Sequence, residues 1–268
     1  MYTFQDIWGI IDPVKAKEKI SEEIKRENIT QINNLEDQAL SLVGRTIYEL
    51  LIKGYTEKQW GKSCKELPSF IIKRIPIRYE FNNNYFNDKY QGIPIGGYTK
   101  LINLLLEGSD IQLNSNYFDN PDKYHKLAKR IVYTGAIDEY FNYKYGQLEY
   151  RSLRFELEKF DKDYYQKNCV INFTNRDVPY TRIIEHKYFE DTITPTTIIT
   201  KEYPDNYEIG KERYYPINDK KNTDLFDKYL KLAKKEKKVI FGGRLANYKY
   251  YDMDDTIEKA LLDAKKYL

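Results

Sequence analysis

The chain has 268 residues, enough for one large domain or two to three small ones. Hydrophobic residues make up 41% and charged residues 32%, an ordinary globular balance, and a mean hydropathy of −0.74 without a long apolar run excludes a membrane-spanning helix. The net charge of +3 comes from 44 basic and 41 acidic residues interspersed along the chain, which excludes a nucleic-acid-binding tail or stripe.

The first residues, MYTFQDIWGIIDPVK, carry no basic region ahead of an apolar stretch. They do not read as a signal peptide, and a cytoplasmic location is expected. Asp12 followed by Pro13 forms a helix start, and Val14, Ile20 and Ile24 recur near helical spacing, predicting a helix to about Glu27. Asn34 is a second cap, ahead of Leu35, Ala39, Leu42, Val43, Ile47, Leu50 and Leu51, with Gly54 placed to stop the helix. The apolar faces of both helices are assigned to core packing. From Gly92, GIPIGGYTKLINLLLEG predicts a glycine turn and a short apolar helix closed by Gly108, followed by a strand at 110–115. A further short helix and the strand-like RIVYTGAID come next. This alternation suits the later part of a flavin-binding α/β domain.

Residues 147–218 alternate apolar and polar side chains in runs such as LEYRSLRFELEKF, CVINFT and TTIITKEY between Asn, Asp and Pro turns, predicting an antiparallel sheet. The basic stretch KLAKKEKKV at 231–239 reads as a solvated helix end before a strand. The final stretch, from 237, reads as strand, glycine turn, loop and amphipathic helix returning to the α/β domain. The fold expected is mixed α/β. It comprises a helical insert with cleft residues at 1–90, part of an α/β domain at 91–140, an antiparallel sheet at 141–235 and the return at 236–268.

Cys64 and Cys169 form no CxxC pair, and His125 and His186 supply neither a histidine-rich metal centre nor a hydrolase triad. Tyrosine is the outlier, with 27 residues. Its ring stacks on a base and its hydroxyl donates to phosphate or sugar oxygens.

Four blocks carry a family resemblance: GYTEKQWGKSCKELPSFIIKRIPIR at 54–78; NNNYFNDKYQGIPIGGYTK at 82–100; VPYTRIIEHKYF at 178–189, with TKEYP at 200–204 and YYPIND at 214–219; and FGGRLANYKYYDMD at 241–254. In order and spacing they resemble bacterial-type UDP-galactopyranose mutases. The resemblance implies an FAD domain interrupted by a helical insert and an antiparallel substrate-domain sheet, with the cleft between them. It also implies isomerisation of UDP-galactopyranose to UDP-galactofuranose for cell-surface polysaccharide, through an adduct between N5 of reduced FAD and the sugar. The cofactor then does the covalent work and the protein supplies positioning and charge. On this resemblance Arg74 and Arg182 are the catalytic arginines that fork onto the diphosphate. Tyr85, Tyr215 and Tyr250 reach the same group, and Tyr55, Trp60 and Asn172 line the uridine end. Arg244, Tyr250, Asp252 and Met253 meet the flavin, with His186 and Glu202 in support.

The family also begins with a βαβ unit carrying a GxGxxG turn for the FAD pyrophosphate. GIPIGG at Gly92 lacks that spacing and FGGR at Phe241 is a different turn, so neither is assigned the role. The expectation is a chain lacking that segment: a truncated or mis-started mutase, one half of a split enzyme with a separate FAD-binding chain, or a flavin-free UDP-sugar binder. UDP-galactose is the expected partner, with a homodimer left open and neither nucleic acid nor membrane expected.

Overall fold

The computed structural model describes residues 1–72, 77–82 and 87–267. Its helices are α1 (Tyr2–Trp8), α2 (Pro13–Glu27), α3 (Leu35–Ile47), α4 (Gly54–Trp60), α5 (Gly97–Leu105), α6 (Pro121–Leu127), α7 (Ile137–Tyr140), α8 (Lys220–Ala233), α9 (Gly243–Ala246) and α10 (Met253–Tyr267). Its strands are β1 (Ile131–Tyr133), β2 (Tyr150–Phe160), β3 (Val170–Asn172), β4 (Arg182–Glu185), β5 (Thr197–Asn206), β6 (Tyr215–Pro216) and β7 (Val239–Phe241). The chain divides into two units, Met1–Lys100 with Leu153–Asp205 and Leu101–Ser152 with Asn206–Leu268.

In the first unit, the caps read from the sequence are made. Val14 N donates to Asp12 Oδ1 at 2.7 Å ahead of α2, and Asp37 N donates to Asn34 Oδ1 at 2.9 Å in the first turn of α3. Ala16, Ile20, Leu35, Ala39, Leu40, Val43 and Tyr48 form the buried face between these helices, joined by Phe4 from α1. Near its end α3 is kinked at Gly44, whose φ of 70° lies in the left-handed region. A Cβ there would collide with the Cβ of Glu23. The buried Glu23 carboxylate accepts from the Thr46 hydroxyl at 2.7 Å and the Thr46 N–H at 3.4 Å, recapping the backbone the kink exposes. Lys19 Nζ donates to the same carboxylate at 2.9 Å and, against the upward push of burial, helps hold its pKa below the ordinary glutamate value.

The stop expected at Gly54 does not occur. Gly54 has helical φ −63° and ψ −41°, and the chain runs through a π-helical turn, Tyr48–Lys53, into α4. The glycine is needed for close approach: a Cβ would overlap the carbonyl oxygen of Thr174.

Strands β3, β4, β5 and β2 lie side by side in that order. The antiparallel register pairs Asn172 with Arg182, and Arg182 with Glu202. Ile183 and Ile199 point into the buried side. Buried Glu185 of β4 ties down the β2–β3 loop and the start of β5, accepting from Tyr165 N at 2.8 Å, Gln166 N at 2.9 Å and Thr197 Oγ1 at 2.6 Å.

In the second unit β1 and β7 pair in parallel, Ile131 with Val239 through Tyr133 with Phe241. The start of β2 pairs with β6. The core is aromatic: Tyr150, Tyr229 and Tyr248 are buried with Ile137 and Leu148. Tyr229 donates to Gly146 O at 2.6 Å and accepts from Tyr145 N at 3.0 Å, while the Tyr248 hydroxyl lies 2.5 Å from Glu149 O and 3.0 Å from Ile217 O. Part of the tyrosine excess therefore serves packing, the Tyr229 and Tyr248 hydroxyls finding backbone partners. The strand expected at 110–115 is absent: those residues are exposed and join no ladder. Their alternation finds no neighbouring strand, and pairing is what makes a strand. Helices α5 and α10 bury no residue, and Ile257, Leu261 and Leu262 stand exposed along α10. No helix among the described residues is long and apolar enough to cross a membrane.

Candidate functional site

In the first unit the antiparallel register sets Asn172, Arg182 and Glu202 in one row across three strands. Directly opposed residues share a face, so a single row carries an amide, a guanidinium and a carboxylate. Arg182 Nε lies 3.3 Å from Glu202 Oε1, and Arg182 Nη2 donates to the Tyr55 hydroxyl of α4 at 2.6 Å. Glu202 is buried, and its carboxylate also lies 3.4 Å from the Thr181 hydroxyl. Burial pushes the Glu202 pKa up, and the Arg182 charge beside it opposes that rise. A guanidinium tied at both ends in this way keeps one orientation, a requirement for two-pronged recognition of phosphate oxygens. His186 is fastened to the sheet, its Nε2 2.7 Å from Thr200 Oγ1.

Trp60 lies five residues beyond Tyr55, about 140° further round the helix. Its ring is partly buried against the helical core. Arg74 and Tyr85, expected at the diphosphate, lie outside the described residues.

Sequence reasoning missed Lys58, three residues after Tyr55 on α4. Its ammonium donates to four carbonyls of the β3–β4 loop: Phe173 at 2.7 Å, Asn175 at 2.9 Å, and Val178 and Tyr180 at 3.0 Å. Burial draws its pKa below the ordinary lysine value. Glu57 pairs with Arg176 of the same loop and accepts from Cys64 N at 3.2 Å. The only signal in the sequence was spacing: Gly54, Glu57 and Lys58, at i, i+3 and i+4, share one helix face.

In the second unit, Tyr215, Arg244 and Tyr250 come together. The Arg244 guanidinium lies 4.6 Å from the Tyr250 ring centroid and 5.9 Å from that of Tyr215, and the two rings are 5.4 Å apart. Arg244 Nη2 donates to Tyr214 O at 2.5 Å, which fixes the guanidinium among the rings. Asp252 N donates to Asp255 Oδ2 at 3.1 Å at the start of α10, and Asp252 and Met253 are exposed. Asp254 and Asp255 in that first turn already complement the helix dipole, so this helix start is no cradle for a pyrophosphate. In its chemistry, a guanidinium held between two tyrosine rings suits the ring end of a flavin. The described residues contain no cluster of His, Cys, Asp and Glu suited to a metal ion.

Comparison with known proteins gives the fold and the family of the chain. The fold is similar to that in the crystal structure of a reduced UDP-galactopyranose mutase, with a TM-score of 0.60 at 14% identity, covering 89% of this chain and 69% of that one. The sequence profile of the UDP-galactopyranose mutases matches residues 50–250, a span that includes every expected site residue except Asp252 and Met253. A probable UDP-galactopyranose mutase of Klebsiella pneumoniae is 40% identical over 96% of this chain and 66% of its own length. A dTDP-fucopyranose mutase of Escherichia coli is 35% identical over 96% and 70%, and a UDP-galactopyranose mutase of Mycoplasma genitalium is 34% identical over 90% and 65%. The chain belongs to the UDP-galactopyranose mutase family. It spans about two thirds of the length of these curated relatives.

Proposed function

We propose that this protein is an isomerase that interconverts UDP-galactopyranose and UDP-galactofuranose with reduced FAD, in the cytoplasm, to supply a furanose donor for cell-surface polysaccharide. The observation that carries the reading is the Asn172–Arg182–Glu202 row with Tyr55 hydrogen-bonded to Arg182, inside the span matched by the family. Reduced FAD, when bound, supplies the covalent chemistry at the anomeric carbon through N5. The protein's own task is to hold the nucleoside diphosphate before, during and after it leaves the sugar.

Arg182 does this with a permanent charge, and Glu202 and Tyr55 restrict it to one orientation. Arg74 and Tyr85 are assigned to the same diphosphate, as are Tyr215 and Tyr250. Asn172, Tyr55 and Trp60 are assigned to the uridine end. Arg244, Asp252 and Met253, with Tyr250, are assigned to the flavin ring.

Arg182→Ala in the dithionite-reduced, FAD-supplemented protein is expected to lower turnover by at least about a hundredfold, the equivalent of roughly 3 kcal/mol of charge-assisted stabilisation. Near-parental turnover would remove Arg182 from the mechanism. The E. coli relative supports a second reading, in which the sugar is a 6-deoxyhexose carried on dTDP. Offering both sugar nucleotides in the same assay separates the two, because the diphosphate contacts are common and only the base and sugar differ.

A further inference from the structure

We propose that Lys58 is the positioning residue of the Arg182 site, its ammonium serving as a resident cation around which the β3–β4 loop is wound. This rests on the reading of Arg182 as a diphosphate ligand. The four carbonyls it holds come from both ends of the loop: Phe173 directly follows β3, and Tyr180 stands two residues before Arg182. An ammonium has three N–H donors, so four carbonyls at 2.7–3.0 Å saturate it, with one hydrogen shared. Among the described residues no carboxylate pairs with Lys58, and the neighbouring Glu57 is engaged by Arg176 and Cys64 N. The half-buried charge is therefore balanced by backbone dipoles. Those same dipoles point their negative ends at one another and are kept together by the charge.

The consequence reaches the site through a short stretch of backbone. Tyr55 and Lys58 are neighbours on α4, one accepting from Arg182, the other gripping the loop that leads into Arg182. Helix and strand are thus locked at two adjacent points, and the second fixes where the first can form. Close approach at Gly54 and the Glu57–Arg176 pair bring the loop onto the helix, but neither gathers both of its ends. Lys58 gathers both.

The test uses Lys58→Met, which keeps most of the aliphatic stem and removes the charge. Faster amide exchange is expected in residues 174–181, with that of α2 and α3 unchanged, and UDP binding by calorimetry is expected to weaken roughly tenfold. Placed on Arg182→Ala, Lys58→Met is expected to add no further loss of UDP affinity, because it acts through Arg182. Unchanged loop exchange, or losses that add in the double variant, would overturn the proposal. Should Lys58→Met fail to fold, Lys58→Arg carries the same readouts: the charge is kept, but a planar fork cannot reach four converging carbonyls, so a smaller loss of the same kind is expected and parental behaviour would overturn it. Arg182→Ala binding UDP as tightly as the parent would instead refute the diphosphate reading, and the loop exchange would still decide the role of Lys58.

Discussion

Replacing Gly54 with alanine sets two physical effects against each other, and the structure decides the sign. Alanine is the better helix former, so at an exposed helical position Gly→Ala is worth about 1 kcal/mol of added stability. Gly54 has helical dihedral angles, and on propensity alone the variant is stabilised. The added Cβ, however, would lie 3.3 Å from the Thr174 carbonyl carbon, 3.6 Å from Arg176 Cγ, and more than about 1 Å inside the closest approach of carbon to the Thr174 oxygen. Backbone must move, and here the backbone is a loop bound to α4 by Lys58 and by the Glu57–Arg176 pair. Overpacking of this kind costs about 1–3 kcal/mol before any lost hydrogen bond is counted. A net loss of about 1–2 kcal/mol is expected, a fall in Tm of about 2–8 °C for a unit of this size. Gly92→Ala is the control. Nothing lies within 4 Å of a Cβ there, and the variant is expected within about 0.5 kcal/mol of the parent. Differential scanning calorimetry of the three proteins makes the comparison. A Gly54→Ala melting point at or above the parental value, with the control unchanged, would refute the steric account.

Trp60→Ala is expected to weaken UDP binding about tenfold by calorimetry, in keeping with roughly 1–3 kcal/mol of base–aromatic stacking. Because the ring also packs on the helical core, Trp60→Phe should keep the melting point closer to the parent while still losing affinity; unchanged affinity in both variants would return the residue to packing alone. Glu185 gives a pH prediction. Burial raises its pKa, but the hydrogen bonds from Thr197, Tyr165 and Gln166 outweigh this and hold it below the ordinary value. The stability it contributes is present above its unfolded pKa and is lost as pH falls through the lowered folded value. In urea titrations over the acid range, Glu185→Gln is expected to be less stable at neutral pH and to show a shallower acid loss, and an unaltered pH slope would count against the account.

What could be read without tertiary structure was local or repetitive. Asp12–Pro13 and Asn34 announce their helices because a cap is made by residues two or three apart, and the runs through 147–218 announce a sheet because side chains alternate with a period of two. The four blocks around Tyr55, Asn87, Arg182 and Arg244 carry the family likeness in the sequence itself. The functions of Gly54 and Lys58 were not legible, since a glycine after a helical run reads as a stop and a lysine on a charged helix reads as solvated. Each is defined by a loop more than a hundred residues away in sequence. The same holds for Arg182, whose charge was visible in the sequence but whose orientation depends on register: a shift of one residue in β4 would turn it to the other face and part it from Asn172 and Glu202. Residues 110–115 show the converse, an alternating stretch that remains outside any sheet because no strand lies beside it. Residue type and spacing determined which helices and strands could form and which chemistry was on hand. Strand register and the closure of distant loops onto α4 decided which side chains meet, because those contacts depend on the positions of both partners at once.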